Sequence, residues 1–374
     1  MSAQTVIVGA GPAGLAVAAM LGQRGASYTI LEKADFVGSA WRDRYDGLRL
    51  HTVRWLSALP GAPIPRRYGP WVRRDDLVAY LEQYAHRFQI APEFGVEVTR
   101  IEPQAAKWRL ETSAGNREAD TVVVATGCSH TPYVPDWAGR ESFAGSLRHS
   151  RDYREPSNYR NRRVLVVGAG NSAAEIAVEV AGVAAEVWLS IRTPPNIVRR
   201  DVFGVPSQVL GIALRRVPET LMNPLAGMMR RLSVPDLRAY GLPAPPGDGF
   251  TQFLRSRTVP ILDHGFVAAL RSGRIRVVPP VESVRSNEVR MVDGIILRPD
   301  DIIAATGYRP DLEQLVGHLG VLDKSGFPNV HGAHPVPNAP GLYIVGISVE
   351  LTGLLREITR EARDVSRRIA ATPA

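Results

Sequence analysis

The chain of 374 residues has one cysteine, Cys128, and three lysines, Lys33, Lys107 and Lys324. A single cysteine excludes both an internal disulfide and a Cys-x-x-Cys pair, and with them the dithiol–disulfide reductases. No apolar run is long enough to span a bilayer. The first positive charge, Arg24, comes too late for the basic leader of a signal peptide. We therefore expect a cytoplasmic protein without an integral membrane segment.

The positive charge of the chain is almost entirely arginine. Lysine and arginine together number 45 against 37 acidic residues, which gives a formal net charge of +8. Such a balance can attract nucleic acid or an anionic membrane surface. The arginines are spread along the chain and form no patch, so we expect no nucleic-acid partner and attribute the charge to a general arginine bias. The length allows two domains, each with its own core.

A glycine-rich turn lies near the amino terminus, in the segment VIVGAGPAGLA. Gly9, Gly11 and Gly14 stand between a predicted buried strand and a predicted apolar helix, as in a dinucleotide-binding βαβ unit. The first glycine makes the tight turn, the second lets the backbone approach a pyrophosphate, and the third lets the helix pack on the strand. The next strand ends at Glu32, where a ribose-binding carboxylate is expected. This pattern predicts an FAD site.

A second turn of the same kind lies about half the chain later, in VLVVGAGNSAAEIA. Gly168 and Gly170 occupy the first two glycine positions, and Ala173 occupies the third. A second turn predicts a second dinucleotide, and a protein that binds two such cofactors is expected to pass electrons between them.

The strand after the second turn ends without an acid, in a segment that contains Arg192. An acid there would repel a 2′-phosphate, whereas an arginine can pair with it through two donors. The second site is therefore predicted to bind NADPH. An ordinary solvated arginine is the alternative, and Arg199 and Arg200 could share the role.

Two predicted strands, 121–124 and 301–304, are each followed by the same three residues, Ala-Thr-Gly. We interpret both as places where the backbone crosses between two nucleotide-binding domains close to a cofactor. Two unrelated strand ends are the alternative, which the likeness of the two segments disfavours.

The predicted fold class is α/β, with two Rossmann-like dinucleotide-binding domains and the NADPH-binding domain inserted in the FAD-binding domain. We place the FAD-binding domain at 1–155 and 301–374, and the NADPH-binding domain at 156–300. Gly346 is expected to end the last strand of the first domain, at the flavin. Residues 357–369 predict a closing amphipathic helix.

Residues 193–265 are rich in proline and too long for a simple loop. We interpret this segment as a wall of the substrate cavity, because long insertions beside cofactor sites usually serve the substrate. A lid, a membrane-surface helix and a passive surface elaboration are the alternatives.

A further motif lies between the two turns, where residues 143–154 read FAGSLRHSRDYR. Phe143, Gly145, His149 and Tyr153 follow the order F-x-G-x-x-x-H-x-x-x-Y, and with this motif the chain resembles the class B flavin-dependent monooxygenases. Tyr153, where Baeyer–Villiger enzymes usually have tryptophan, favours the flavin-containing and N-hydroxylating branch. Other segments look like the plant YUCCA-type enzymes and their bacterial relatives: GSAWRDRYDGLRLHT (38–52), LSIRTPP (189–195), YGLPAPPGDGFTQFL (240–254), VPILDHGFVAALRSGRIRV (259–277) and ATGYRPDL (305–312).

The resemblance implies FAD and NADPH as cofactors, with O₂ and a small organic molecule as substrates. NADPH reduces the flavin, a C4a-(hydro)peroxyflavin forms with O₂, and one oxygen atom passes to the substrate, while the protein positions the reactants and excludes water. The expected substrate is a 2-oxo acid such as an aryl pyruvate, or an intermediate of secondary metabolism. A Baeyer–Villiger oxygenase of a ketone and a non-oxygenating NADPH oxidase or redox partner are the alternatives. A homodimer is left open.

The resemblance also assigns site residues. The candidate cofactor-binding residues are Gly9, Gly11, Gly14, Glu32, Lys33, Trp41, Arg42, Val98, Thr126, Gly127, Gly168, Gly170, Asn171, Ser172, Ser190, Arg192, Thr306, Gly307 and Gly346. The motif residues His149 and Tyr153 are expected to link the domains and to sense the nicotinamide cofactor, without chemistry of their own. His51 and Thr52 are the candidate catalytic residues, as polar groups expected at the flavin ring, with a backbone-satisfied histidine as the alternative for His51. No metal site is predicted.

Two departures from the family pattern matter. Ser39 stands where the family usually has a second glycine in the tryptophan stretch. The asparagine that mammalian-type members place near the flavin is not evident around Thr52 and Val53. The second departure favours the YUCCA side over amine and sulfide oxygenation.

Overall fold

The computed structural model describes residues 4–129, 131–202, 204–214, 235–245, 259–348 and 352–371. The chain divides into two compact units. The first unit comprises Met1–Asp43, Leu48–Thr131 and Tyr308–Ala374, and the second comprises Arg44–Gly47 and Pro132–Gly307.

These boundaries differ from the predicted ones at three places. Residues 44–47, 132–155 and 301–307, which the sequence assigns to the FAD-binding domain, lie in the second unit. For the last two ranges the reason is strand pairing, because Ser146–His149 and Asp301–Ala304 pair with each other in the sheet of that unit.

The first unit is built on a five-stranded parallel sheet with the strand order Leu342–Ile344, Thr121–Val124, Thr5–Val8, Tyr28–Glu32 and Glu93–Phe94. All four residues of Thr5–Val8 are buried, as expected for a parallel sheet whose two faces are covered. A separate antiparallel sheet contains Val98–Gln104, Lys107–Thr112 and Arg117–Ala119.

The helices of the first unit are Pro12–Gly22, Ser39–Arg42, Arg74–Arg87, Glu313–Val316 and Leu354–Ala371, with single 3₁₀ turns at Arg54–Leu56, Arg66–Tyr68 and Gly317–Leu319. Pro12 stands in the first turn of its helix, where its missing N–H leaves no hydrogen bond unmade. That helix is buried from Ala13 to Leu21, and Ile358, Ala362 and Val365 of the closing helix belong to the same core. Along the described part of the chain, no helix combines the length and apolarity needed to cross a membrane.

The second unit repeats this plan. Its five-stranded parallel sheet has the order Arg276–Val278, Glu186–Ser190, Arg163–Val167, Asp301–Ala304 and Ser146–His149. Within the described residues of this unit, the helices are Asn171–Val180, Ser207–Leu214 and Phe266–Arg271, with 3₁₀ turns at Arg140–Ser142, Pro156–Tyr159 and Arg238–Tyr240.

Smaller sheets complete the second unit. Val281–Arg285, Glu288–Met291 and Ile296–Leu297 form an antiparallel sheet. Ile197–Arg199 pairs with Ile261–Asp263, and Asp201–Val202 pairs with Val205–Pro206. Much of the predicted cavity wall, including 215–234 and 246–258, lies outside the described residues, so that interpretation stays a prediction.

Candidate functional site

Contacts within the protein, without any ligand, explain two of the three glycines in the first turn. Gly9 has a φ of +106°, which favours glycine, and its N–H donates to the Leu31 carbonyl at 2.8 Å. A Cβ on Gly9 would lie 2.8 Å from the Ala125 carbonyl oxygen, and a Cβ on Gly14 would lie 1.9 Å from the Gly9 carbonyl oxygen. Close packing of strand, turn and helix therefore explains both residues.

Gly11 has no such explanation. Its φ of −79° and ψ of −174° suit any residue, and a Cβ at this position would meet no protein atom within 4 Å. It lies at the amino end of the helix Pro12–Gly22, where unpaired N–H groups attract a phosphate. The open space above Gly11 fits a pyrophosphate that approaches the backbone, so this turn fits FAD.

Glu32 is buried and holds the first turn together. Its Oε2 accepts a hydrogen bond from the Ala10 N–H at 2.6 Å, and its Oε1 accepts one from the Ala34 N–H at 2.9 Å. An ionised carboxylate has about four acceptor positions. Two positions are thus used by the backbone, and two are left for the hydroxyls of a ribose.

Three hydroxyls in the first unit are buried without a hydrogen-bond partner among the described residues. They are Thr5 Oγ1, Thr126 Oγ1 and Ser348 Oγ. Thr5 begins the first strand, whereas Thr126 and Ser348 follow the carboxyl ends of the neighbouring strands Thr121–Val124 and Leu342–Ile344. A buried polar atom without a partner is costly unless a ligand or water satisfies it. Gly127, beside Thr126, has a φ of +78° and faces open space. Thr126 was expected from the sequence, whereas Ser348 was missed, and its position two residues after Gly346 is the signal that could have identified it.

The side chains of the other predicted FAD contacts are engaged within the first unit. The Arg42 guanidinium lies 4.7 Å from the centroid of the Phe36 ring and forms an ion pair with Glu82. The exposed Lys33 Nζ lies 3.6 Å from Glu97 Oε1.

Trp41, Val98 and Gly346 also have packing roles. Trp41 is half-buried against the core that contains the first helix, and Val98 packs against the buried cluster on the opposite side of the sheet. A Cβ on Gly346 would lie 2.7 Å from the Ala13 Cβ, and the Gly346 N–H donates to Glu361 Oε2 at 2.8 Å. Gly346 therefore lets the last strand approach the first helix.

His51 and Thr52 are half-buried neighbours. Thr52 Oγ1 lies 2.7 Å from Ser57 Oγ, and the Ser57 hydroxyl donates to the Val53 carbonyl at 2.8 Å. Since Ser57 has one proton, Thr52 is the donor in their contact. The Thr52 proton is thus used within the loop.

The second glycine turn repeats the geometry of the first. Gly168 has a φ of +150°, its N–H donates to the Ser190 carbonyl at 3.0 Å, and its Cβ would lie 2.2 Å from the Ala305 carbonyl oxygen. Gly170 has an ordinary φ of −102° and ψ of 179°, and a Cβ there would meet nothing within 4 Å. The space above Gly170 therefore fits the pyrophosphate of NADPH.

Two predicted NADPH contacts direct their side chains toward the protein. The Asn171 amide donates to the Pro260 carbonyl at 3.1 Å and accepts from the Leu262 N–H at 2.8 Å. The Ser190 hydroxyl donates to the Pro279 carbonyl at 2.8 Å. Both side chains therefore position neighbouring loops.

The predicted 2′-phosphate ligand, Arg192, is exposed. Within the described ranges, no acidic side chain forms an ion pair with it. Arg200 differs, because its Nη1 lies 3.2 Å from His264 Nδ1 and its side chain is half-buried. Arg192 thus has a guanidinium available for an anion.

The motif residues fasten the second Ala-Thr-Gly turn. His149 Nε2 donates to the Gly307 carbonyl at 3.0 Å, and Nδ1 accepts from the Arg151 N–H at 3.1 Å. Burial lowers the pKa of His149, so the imidazole is held neutral in one tautomer. The Thr306 hydroxyl donates to the Tyr133 carbonyl. These contacts lie within the second unit and give His149 a positioning role.

The first part of the motif is a packing feature. A Cβ on Gly145 would lie 2.4 Å from the Asp300 carbonyl oxygen and 2.8 Å from the Phe143 ring. Only glycine lets the chain pass between these groups. At the other end of the motif, the Tyr153 hydroxyl donates to Glu179 Oε2 at 2.7 Å.

Known proteins share this plan. The sequence profile of the pyridine nucleotide-disulphide oxidoreductase family matches residues 6–203. An indole-3-pyruvate monooxygenase of the YUCCA type from Oryza sativa subsp. indica is 36% identical over 386 residues, which cover 97% of this chain and 90% of the relative.

Solved structures agree. The flavin-containing monooxygenase from Stenotrophomonas maltophilia has a TM-score of 0.74 at 27% identity, covering 99% of this chain and 98% of that one. Cyclohexanone monooxygenase shares the fold, with a TM-score of 0.72 at 18% identity, covering 99% of this chain and 87% of that one. The chain belongs to the pyridine nucleotide-disulphide oxidoreductase family and, within it, to the class B flavin-dependent monooxygenases, which use FAD, NADPH and O₂ to oxygenate small molecules.

Proposed function

We propose that this monooxygenase acts on a 2-oxo acid with an aromatic side chain, an aryl pyruvate. Support comes from the relatives that are named indole-3-pyruvate monooxygenases and are similar over nearly the whole chain. A 2-oxo acid presents a carboxylate beside the carbonyl group. An enzyme selective for this class therefore needs a cation in its substrate site.

Arg54 is the observation on which the substrate class depends. Its side chain is half-buried, its Nη1 donates to the Ile64 carbonyl at 2.8 Å, and its Nε is buried without a partner. No carboxylate forms an ion pair with it among the described residues. A partly buried cation without a counter-charge is unfavourable on its own, and a substrate carboxylate would supply that charge. Arg54 stands two residues after Thr52, in the segment expected at the flavin.

The cofactor sites are part of the proposal. The first unit would hold FAD through the space above Gly11, through Glu32, and through the hydroxyls of Thr126 and Ser348. The second unit would hold NADPH through the space above Gly170 and through Arg192. FAD, when bound, supplies hydride acceptance from NADPH and the reaction with O₂. The chain's own residues bind the cofactors and orient the substrate.

The test compares substrates that differ only in the carboxylate. Purified, FAD-loaded enzyme is given NADPH, ¹⁸O₂ and either phenylpyruvate or phenylacetone, and products are identified by mass. The expected result is an oxygenated product with one ¹⁸O from phenylpyruvate and little turnover of the ketone. An ester from phenylacetone would indicate Baeyer–Villiger oxygenation. Hydrogen peroxide as the sole product with both compounds would overturn the proposal.

Variants at Arg54 sharpen this test. Loss of a charge-assisted hydrogen bond costs about 1.5–3 kcal/mol, so Arg54→Gln should raise the KM for phenylpyruvate by about tenfold or more. Arg54→Lys should recover part of the loss, because the charge is kept. The KM for NADPH and the FAD content should not change. A uniform loss of FAD and thermal stability would show instead that Arg54 only fastens the loop to Ile64.

A further inference from the structure

Two tyrosine hydroxyls and two glutamates meet along the helix Asn171–Val180, which begins at the second glycine turn. The Tyr45 hydroxyl donates to Glu175, and the Tyr153 hydroxyl donates to Glu179 Oε2 at 2.7 Å. Both tyrosines are buried, and their ring centroids lie 6.0 Å apart at an interplanar angle of 60°. The glutamates are four residues apart and share one helix face. We call these four residues the tyrosine clamp.

Tyr45 reaches this helix from a distant part of the sequence. It belongs to Arg44–Gly47, four residues of the second unit whose flanks on both sides belong to the first unit. The backbone of the segment is fastened to the end of the motif, since the Asp46 N–H donates to the Arg154 carbonyl at 2.9 Å. In return, Arg154 Nη1 donates to the Arg44 carbonyl at 3.0 Å.

Gly47 shows how closely the segment fits the helix. A Cβ at this position would lie 1.8 Å from Glu179 Oε1. The φ of Gly47 is not among the positive values of the chain, so the requirement for glycine comes from this contact. The carboxylate of Glu179 therefore occupies the space that any other residue at position 47 would need.

Tyr45 also lies near a predicted NADPH residue. The Ser172 side chain, on the second residue of the helix, is close enough to the Tyr45 hydroxyl to affect its pKa. Burial, and then the neighbouring Glu175, raise the pKa of Tyr45 well above its usual value, so the phenol keeps its proton. That single proton is donated to Glu175, which ties the buried phenol to the helix.

We propose that Tyr45 is a positioning residue: through Glu175 it holds the first turns of the helix Asn171–Val180 in the geometry that binds the pyrophosphate of NADPH. The helix amino end binds phosphate through N–H groups whose directions depend on those turns. The clamp fixes the helix from the side, because Tyr45 holds Glu175 and Tyr153 holds Glu179 one turn later. The inference rests on the proposed NADPH site and is independent of the substrate class.

The test is the substitution Tyr45→Phe, with Tyr159→Phe as the matched control. Tyr159 is buried beside Tyr153, with ring centroids 5.8 Å apart, and no hydrogen bond of its hydroxyl to the helix is seen. Each variant removes one buried oxygen. The measurements are the Kd for NADP⁺ from flavin absorbance, the KM for NADPH, the rate of flavin reduction at saturating NADPH, and the FAD content. None requires an oxygenated substrate.

Tyr45→Phe should raise the Kd and the KM by about threefold to tenfold, the ratio expected for one net hydrogen bond. The saturated reduction rate and the FAD content should stay at wild-type level, and Tyr159→Phe should leave all four quantities unchanged. Unchanged NADP⁺ binding, or equal losses in both tyrosine variants, would overturn the proposal. Gly47→Ala, which displaces Glu179, should also weaken NADP⁺ binding, and tight binding by this folded variant would count against it.

Discussion

The two glycine turns of this protein have the same backbone and different surroundings. In each, the first glycine donates its N–H to the neighbouring strand, from Gly9 to Leu31 and from Gly168 to Ser190. In each, the alanine of an Ala-Thr-Gly segment, Ala125 or Ala305, packs against that glycine. The second glycine faces open space in both. The turn geometry therefore follows from the sheet and is independent of which cofactor binds.

The difference lies one residue further along the neighbouring strand. Leu31 pairs with Val8, and Ser190 pairs with Val167, so Glu32 and Ile191 occupy equivalent positions. The buried Glu32 carboxylate ties the first turn to the backbone, whereas Ile191 is an apolar residue that cannot do so. After Ile191 comes the exposed cation Arg192. An exposed cation follows in both units, Lys33 after Glu32 and Arg192 after Ile191, so the difference is the carboxylate. We propose that its presence favours ribose hydroxyls and that its absence leaves room for a 2′-phosphate.

The largest expected effect on cofactor binding is at Gly11 and Gly170, the second glycines of the two turns, where a side chain would meet no protein atom within 4 Å. Gly11→Val should reduce FAD content to background, because the side chain would occupy the space of the pyrophosphate, yet the apoprotein should unfold within a few degrees of wild-type apoprotein. Gly170→Val should stay yellow and lose reduction by NADPH. Flavin absorbance, circular dichroism and thermal unfolding measure these outcomes. A Gly11→Val protein with full FAD content would contradict the comparison.

Gly14→Ala provides the contrast within the same turn. Alanine is favoured over glycine in a helix by about 1 kcal/mol, but the 1.9 Å approach to the Gly9 carbonyl oxygen should cost more than that gain. The apoprotein itself should therefore be destabilised, by about 1–3 kcal/mol.

A smaller effect is expected at Arg192, the predicted ligand of the 2′-phosphate of NADPH. Arg192→Ala should raise the KM for NADPH by about 1.5–3 kcal/mol in free-energy terms and change the KM for NADH little, since the lost contact is charge-assisted and NADH lacks the 2′-phosphate. Arg271→Ala removes another exposed arginine of the second unit, one without a predicted role, and serves as the control. If Arg192→Ala raised the KM for NADPH and the KM for NADH equally, Arg192 would not be the ligand of the 2′-phosphate.

The smallest effect is a dependence of stability on pH. The charged form of His149 is disfavoured in the folded state, since burial lowers its pKa from the ordinary value of 6.5. Its contribution to stability is therefore present above that value and is lost as the pH falls through the lowered pKa. His149→Asn should flatten the decrease in Tm on acidification. The exposed His86 is the control position, and an equal flattening by His86→Asn would contradict this cause.

The residue ranges of the sheet strands were predicted better from the sequence than the pairing between strands. Thr121–Val124 and Asp301–Ala304 have the predicted bounds, because each is a short, mostly apolar run followed by an Ala-Thr-Gly segment that marks its end. The pairing of Asp301–Ala304 with Ser146–His149 was not predicted, since it joins residues about 155 positions apart and no local pattern records such a contact. As a consequence, the boundaries of the two units differ from the predicted domain boundaries.

The same limit applies to the candidate site. The glycine turns were predicted because their spacing is local. The Tyr45 contact with Glu175 spans 130 positions, and the buried Ser348 hydroxyl stands out only after the chain has folded. Conversely, Asn171 looked like a ligand because of its position in the turn, and its amide binds two neighbouring backbone groups.

Arg44–Gly47 belongs to the second unit, although the residues on both sides of it belong to the first. The second unit therefore cannot be obtained whole as one continuous fragment of the chain. A fragment cut at 132 and 307 would appear complete by sequence, since it contains the whole five-stranded sheet. Such a fragment would nevertheless lack Tyr45, whose hydroxyl donates to Glu175, and Gly47, which lies against Glu179. In chimaeras joined at those two positions, the second unit would come from one parent and the phenol that bonds to Glu175 from the other.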